Sequence, residues 1–510
     1  MSIKSIIIQN KLFTILSIGF IAWLALLLSL LTNNHEIIFY DTLAQVDISS
    51  SYTSVNPISR YIIEPFFAIA LVLEMEFSWM FLYLIFYPVV RGSFLVFKKR
   101  NRSEKLNIIL IMLKDMTRFT FKIIVSAVLI VLVIVLIGAM IQGFFFINRY
   151  FMIPIQIAVH SAILIIFIKF VYLLLRLVHP GLKLYYRKQS KKSKSKRISS
   201  SKRFKKVKNE LIYYIGIGCL LLGLNIVLIS APFPTHNIIP TSMDDDEFLI
   251  DLHVHTVYSD GWLTPEERVV WYINQGIDIA AFSDHDNLRG AYAAQKFVED
   301  NNLDFTVLIA EEWTDHENDI HMNYFGLEEE IVPLESYTPN GPKAMNASDL
   351  IQYVKSNGGY ITVNHYNYDP NPRGGFGMPY SLQELRDWGV DGFEIVNGGS
   401  YSGKYQLIRQ FCLDNNLTCV GGSDIHVNED LNTFIRIRLA DPTNKTVENI
   451  FQTLQQNLHQ VVAIEFAPKL VNFPSELDDL GFYIFEDFIN YLFNIDACQA
   501  ISWISWSSGI

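Results

Sequence analysis

Six of the 12 histidines fall at the ends of short β-rich runs, and carboxylates gather with them. His253 and His255 close the run 248–255, where the two-residue period of a strand puts both imidazoles on one face. Asp284–His285–Asp286 closes the run 278–283, Glu311–Glu312 closes 306–310, and His321 opens the run that follows. His365 closes 360–364, Glu394 lies within 392–396, and Asp424-x-His426 ends 418–422. Imidazole nitrogens and carboxylate oxygens in this number are the ligand set of a divalent metal, with zinc, manganese or iron the expected ions. Taken singly, an HxH pair is commonly chance and a DHD triplet is commonly a loop. Six histidines at strand ends are not explained that way.

Such side chains meet only if the strand ends meet. After residue 231 the β-rich runs alternate with amphipathic segments at 288–301, 348–357, 382–388 and 401–415. Repeated β/α units imply an α/β fold with a parallel sheet or barrel, and in a barrel the C-terminal strand ends open on one mouth. Thr264–Pro265–Glu266–Glu267 is a helix start: a capping hydroxyl, proline at the first position and acids in the first turn. Residues 232–247, with Pro232, Pro234, Pro240 and the acidic run Asp244–Asp245–Asp246, read as a linker. In the loop 367–378, Arg373 either touches a substrate phosphate or is a solvated loop residue. Glu394 either orients a metal ligand or helps to bind substrate.

The stretch from Asp251-Leu-His-Val-His255 through Asp260 to Glu267 resembles the opening motif of the PHP (polymerase and histidinol phosphatase) family. Phe282-Ser-Asp-His-Asp286, Ala310-Glu-Glu-Trp-Thr314, His321-Met-Asn-Tyr-Phe-Gly-Leu327 and Gly422-Ser-Asp-Ile-His426 resemble later motifs, in the family's order. Ala310 replaces a usual glycine, and Asn364–His365 stands where the family often has Ala-His-Pro. The resemblance covers 248 to about 465. It implies a distorted (β/α)7 barrel with three divalent metals. Carried over position by position, His253, His255, Glu312 and Asp424 hold one ion, and Glu312 bridges to a second held by His321 and His365. Asp260, His285 and His426 hold the third. The implied nucleophile is a metal-bridging hydroxide between the ions of Glu312 and Asp424, with no side-chain acid assigned. The implied substrate is a phosphoester, either a small molecule or a lipid headgroup. The segment 434–458 is similar to a branch that cleaves carbamic or carboxylic esters, so an ester hydrolase on the same metals and a non-catalytic metal-binding receptor module both stay open.

Charge and hydropathy divide the chain. Residues 1–231 hold 28 of the 41 Lys+Arg and only 9 of the 51 Asp+Glu. The remainder is strongly acidic, which makes nucleic acid a poor substrate. Apolar segments at 11–31, 61–90, 119–145, 150–178 and 211–230 predict an all-α transmembrane region of about five helices over 1–231. The basic loops 91–118 and 183–208 would stay inside, placing the hydrolase domain (248–465) outside a multi-pass membrane anchor. Glu74, Glu76 and His160 lie in those segments and make either a polar pocket or interhelical hydrogen bonds. Residues 466–510, ending in an aromatic-rich stretch, form either an interfacial amphipathic helix or a packed C-terminal helix. Cys412 and Cys419 either pair or stay as reduced, buried thiols.

Overall fold

The computed structural model describes residues 11–32, 37–73, 236–368, 377–466, 470–472 and 483–509, with isolated positions between 116 and 230. Two compact units are present, one made of Met1–Leu71, Val227–Lys469 and Asn490–Ile510, the other of Val72–Ile226 and Leu470–Ile489. The candidate site lies wholly in the first.

Its centre is a ring of seven strands: β1 (Glu247–Val254), β2 (Ile279–Phe282), β3 (Thr306–Asp315), β4 (Ile320–Phe325), β5 (Tyr360–Val363), β6 (Gly392–Asn397) and β7 (Thr418–Gly422). The order runs β7-β6-β5-β4-β3-β2-β1, and a parallel bridge between Val254 and Ile425 closes the ring. β1, β2 and β3 are parallel, as are β5, β6 and β7. β4 runs antiparallel to both of its neighbours. Only residues 316–319 separate β3 from β4. So short a connection makes a hairpin, because a parallel neighbour needs a crossover of a dozen or more residues. β3 also runs on to Asp315 rather than stopping near 310, so Glu312 sits inside a strand, paired with Asn323.

Helices Pro265–Gln275, Arg289–Asn301, Ala347–Ser356, Leu382–Trp388 and Lys404–Asp414 follow successive strands. The first starts as its residues dictate: the Thr264 hydroxyl accepts from Glu267 N while the Glu267 carboxylate accepts from Thr264 N. Strand alternation feeds two cores. Ile250 and Leu252 join one with Tyr324, Ile361 and Phe393, while Leu249 joins Trp271, Tyr272 and Phe434 in the other. Cys412 and Cys419 are free and buried, facing one another between helix Lys404–Asp414 and β7.

Beyond β1 the sheet continues through antiparallel β8 (Thr433–Arg438) and β9 (Gln460–Glu465). Ile38–Asp41 then pairs antiparallel with β9, so part of the N-terminal region belongs to the same sheet. Residues 237–240, read above as linker, form a strand against Tyr52–Val55. That pairing leaves Pro240 at the end of the ladder, where its missing N–H is tolerated.

The predicted transmembrane architecture is corrected here. Among the described residues no helix is long and apolar enough to cross a membrane. That finding overturns the five-helix region and, with it, the multi-pass placement of the hydrolase domain. Helix Ile58–Leu73 has 16 residues, contains Pro65, and buries Arg60 and Glu64 as an ion pair that reaches Asp430. Helix Lys11–Leu30 packs on helix Ala497–Ser508, with the Trp23 indole against Trp503 and donating to Ser507 Oγ. Hydropathy counts apolar side chains without registering whether protein or lipid covers them. Most of 74–90, 119–145, 150–178 and 211–230, with Glu74, Glu76 and His160, lies outside the described residues.

Candidate metal centre

All nine sequence-predicted ligands meet at the mouth of the ring. Glu312 forms the floor with no exposed side-chain surface, whereas the Asp260 side chain at the rim is 56 % exposed. His253 and His255 project from the end of β1. Their Nε2 atoms are 3.1 Å apart and lie 3.3 and 3.2 Å from Glu312 Oε2. Asp424 Oδ1 approaches the same two nitrogens at 3.3 and 3.1 Å. The other carboxylate oxygen of Glu312 lies 3.1 Å from His321 Nδ1 and 3.4 Å from His365 Nε2. Towards the rim, Asp260 sits 3.2 Å from His426 Nε2 and 3.6 Å from His285 Nε2. Three groups of side chains could each hold an ion: His253–His255–Glu312, His285–Glu312–His321, and His255–Asp260–His285–His426. All three differ from the sets carried over by resemblance: the first omits Asp424, the second takes His285 in place of His365 because His285 Nδ1 comes within 3.1 Å of Glu312, and the third adds His255.

Partners behind the ligands fix the imidazole orientations. Glu394 is buried on β6, and its Oε1 accepts from His253 Nδ1 at 2.8 Å while Oε2 accepts from His365 N and Asn397 Nδ2. A carboxylate only accepts, so the His253 proton sits on Nδ1 and leaves Nε2 to face the centre. Ser259 Oγ donates to Asp284, so it accepts from His255 Nδ1. Thr314 Oγ1 donates to the Glu312 carbonyl and in the same way accepts from His285 Nδ1. His426 Nδ1 donates to the Asp424 carbonyl. Asn364 Nδ2 donates to Glu312 Oε1 and to Asn323 Oδ1, locking the floor carboxylate. Asp251 accepts from Tyr272 OH, His253 N and Ser423 N, tying β1 to the end of β7. Asp251 and Asn364 carry no role in the sequence motifs that contain them, and Asp284 is counted there only among the gathered carboxylates. Their signal was adjacency to ligands. Arg373 lies outside the described residues.

The residues fit a cation. With both Nδ1 protons committed, the His253 and His255 Nε2 lone pairs aim at one point, and buried Glu312 Oε2 beside them makes no hydrogen bond. A positive ion satisfies all three. Without one, protons must do so. Burial opposes charge on His253, but Glu312, Asp424 and Glu394 overcome it and hold the imidazole well above its usual range. Against the same burial, the Asp424 and Glu312 carboxylates, which accept from the protonated ring, push His255 up to about 10. Conversely, the imidazoles outweigh burial at Glu312, Asp424 and Asp260, whose carboxyls lie far below the carboxylate range. Burial pushes the neighbouring Asp286 up to about 7, although it accepts from Thr314 N. Asp286, His365 and Asp424 hold φ at 52°, 25° and 53°, in the left-handed region that aspartate, asparagine and histidine enter more readily than most residues. Gly422 is required nearby, since a Cβ there would stand 2.4 Å from both Glu394 Oε1 and His253 Cβ.

Comparison with known proteins agrees with this geometry: residues 251–366 match the family described as PHP domain. No curated protein matches the chain. Among solved structures, a two-domain protein from Bacteroides vulgatus, described as containing a predicted PHP-like metal-dependent phosphoesterase, is 20% identical with a TM-score of 0.34. That match covers 42% of this chain and 64% of the other. A protein from Bifidobacterium adolescentis described as a "putative metal-dependent phosphoesterase" is 18% identical, TM-score 0.29, over 40% of this chain and 95% of its own. An amidohydrolase from Chromobacterium violaceum with bound sulfate and no metal is 16% identical, TM-score 0.26, over the same shares.

Proposed function

We propose that the chain, which carries a PHP domain at 251–366, is a metal-dependent phosphoesterase acting at the mouth of the seven-stranded ring. The observation that carries this reading is the convergence of His253, His255, Glu312 and Asp424 donor atoms on one point, with Glu312 shared by its neighbours. Nine ligands suffice for up to three divalent ions: His253, His255, Glu312 and Asp424 for one, Glu312, His321 and His365 for a second, Asp260, His285 and His426 for a third. Such ions supply Lewis acidity towards phosphoryl oxygens and make water a competent nucleophile near neutral pH.

The chain's own residues do the preparation. Glu394, Ser259 and Thr314 hold the Nδ1 protons of His253, His255 and His285, which keeps Nε2 of each available. Asn364 prevents Glu312 from rotating away. Glu312 lies where water is scarce, so its charge acts through a low dielectric and needs no reorganisation during reaction. Half-exposed Asp260 and partly exposed His426 stand where a substrate enters. No serine or cysteine nucleophile is required.

The full chain is stripped with chelator, resupplied with zinc, manganese or ferrous iron, and assayed on p-nitrophenyl phosphate, bis-p-nitrophenyl phosphate and p-nitrophenyl acetate. Metal-restored phosphoester cleavage, lost in His253→Ala, is the expected result. Cleavage of the acetate alone would move the reading to carboxylic esters, and metal binding without turnover of any substrate would overturn the enzyme reading.

A further inference from the structure

The strand β6 and helix Lys404–Asp414 meet at a junction whose chemistry the ligand sets do not use. The helix starts after Gly403, where no side chain caps the first turn, and its first residue is a lysine. The lysine runs against helix energetics, since cations are favoured at the C-terminal end of a helix. A local rule broken there marks a position held for another reason. Lys404 Nζ donates to the carbonyl of His365 at 3.3 Å and remains solvent-exposed. It lies within electrostatic reach of Glu394 and of Asp319, two residues before His321. Neither carboxylate needs it as a partner for burial: Glu394 already accepts from His253, His365 and Asn397, and Asp319 is exposed. Its surroundings are thus the backbone of one ligand, the approach to a second, and the carboxylate that orients a third. All place the ammonium beside the Glu312–His321–His365 side of the mouth.

We infer that Lys404 is a substrate-contacting residue, whose ammonium on the His365 rim grips an anionic oxygen of the substrate's phosphoryl group. The inference rests on the phosphoesterase reading. It deepens that reading by making a side chain of the barrel, besides the metal ligands, select for a charged phosphoester over a neutral carboxylic ester. A lysine suits this, because it presents a compact point charge on a flexible stem to phosphate.

The test uses the full-length, metal-loaded protein as wild type, Lys404→Met, Lys404→Gln and Lys404→Arg, with metal content measured in each. Inorganic phosphate is titrated by calorimetry, and KM and kcat are followed for p-nitrophenyl phosphate and p-nitrophenyl acetate. Phosphate affinity falls about tenfold or more in the methionine and glutamine variants, as loss of one charge-assisted hydrogen bond implies, and arginine restores part of it. KM for the phosphate ester rises in parallel, metal content stays at the wild-type value, and acetate hydrolysis does not change. Wild-type phosphate affinity in both neutral variants would overturn the inference, as would failure of the wild type to bind phosphate. If phosphate affinity depends on Lys404 but no phosphoester turns over, the anion contact stands and the phosphoesterase reading falls. If turnover is normal and indifferent to Lys404, the inference alone falls.

Discussion

At the scale of single residues, the proposed centre depends on side chains that are not themselves ligands and that hold most of the proposed ones. Glu394 is the clearest case, since one carboxylate orients His253 through its ring and His365 through its backbone. Glu394→Gln removes the charge that secures the His253 tautomer and presents an amide N–H to a donor. Metal affinity should fall about 10- to 100-fold with the fold intact, measured by chelator competition and circular dichroism; unchanged affinity would remove Glu394 from the account. The convergence of the six histidines was legible in the sequence because metal chemistry accepts few residue types and strand periodicity fixes their facing. The roles of Asn364 and Thr314 were not legible, because amides and hydroxyls occur everywhere; adjacency to His365 marks Asn364, but only three-dimensional contact shows that these two hold Glu312 and His285.

At the scale of elements, close packing between β1, β6 and β7 sets the tolerance of the site. Gly422→Ala drives a methyl into the Glu394–His253 pair. We expect metal content well below wild type at equal free metal, read by elemental analysis, whereas full occupancy would show that the strands can spread. Helix Ile58–Leu73 is bound to the same unit through charge. Buried Glu64 accepts from Arg60, Tyr491 and Gln499, joining segments separated by more than 400 residues. Glu64→Leu leaves the Arg60 charge with one fewer partner in a buried setting and should cost about 3 kcal/mol in denaturant unfolding. A loss under about 1 kcal/mol would mean that the network relaxes around the change. The β/α alternation and the Thr264 helix start were readable because they depend on local pattern. The antiparallel β4 and the pairing of Ile38–Asp41 with β9 were not, since a strand's partner is set by sequence-distant contacts.

At the scale of the whole molecule, the opposite charges of the two halves are real, while the bilayer inferred from the apolar runs is not carried by any described helix. Helix Lys11–Leu30 packs Leu27 and Leu30 inward and sets Trp23 against Trp503, while Phe20, Ile21 and Leu28 stay exposed, and composition alone does not tell these faces apart. Acid should unfold the molecule through His236 and His459, which burial pushes down to about 4. Between pH 6.5 and 4 the unfolded chain binds these protons and the folded one does not, so stability falls as pH falls, by up to about 3 kcal/mol for each group. Melting temperatures from pH 7.5 to 4.5 should decline more gently in His459→Gln than in wild type; parallel curves would exclude that histidine. The central claim is that nine side chains at the barrel mouth build a divalent-metal centre around Glu312. Its most direct test is the metal content of the reconstituted full-length protein, wild type beside Glu312→Ala, by elemental analysis after removal of free ions. The account predicts up to three tightly held divalent ions in the wild type and a sharp loss in the variant; a wild type that retains none, or a variant that retains them all, would contradict it.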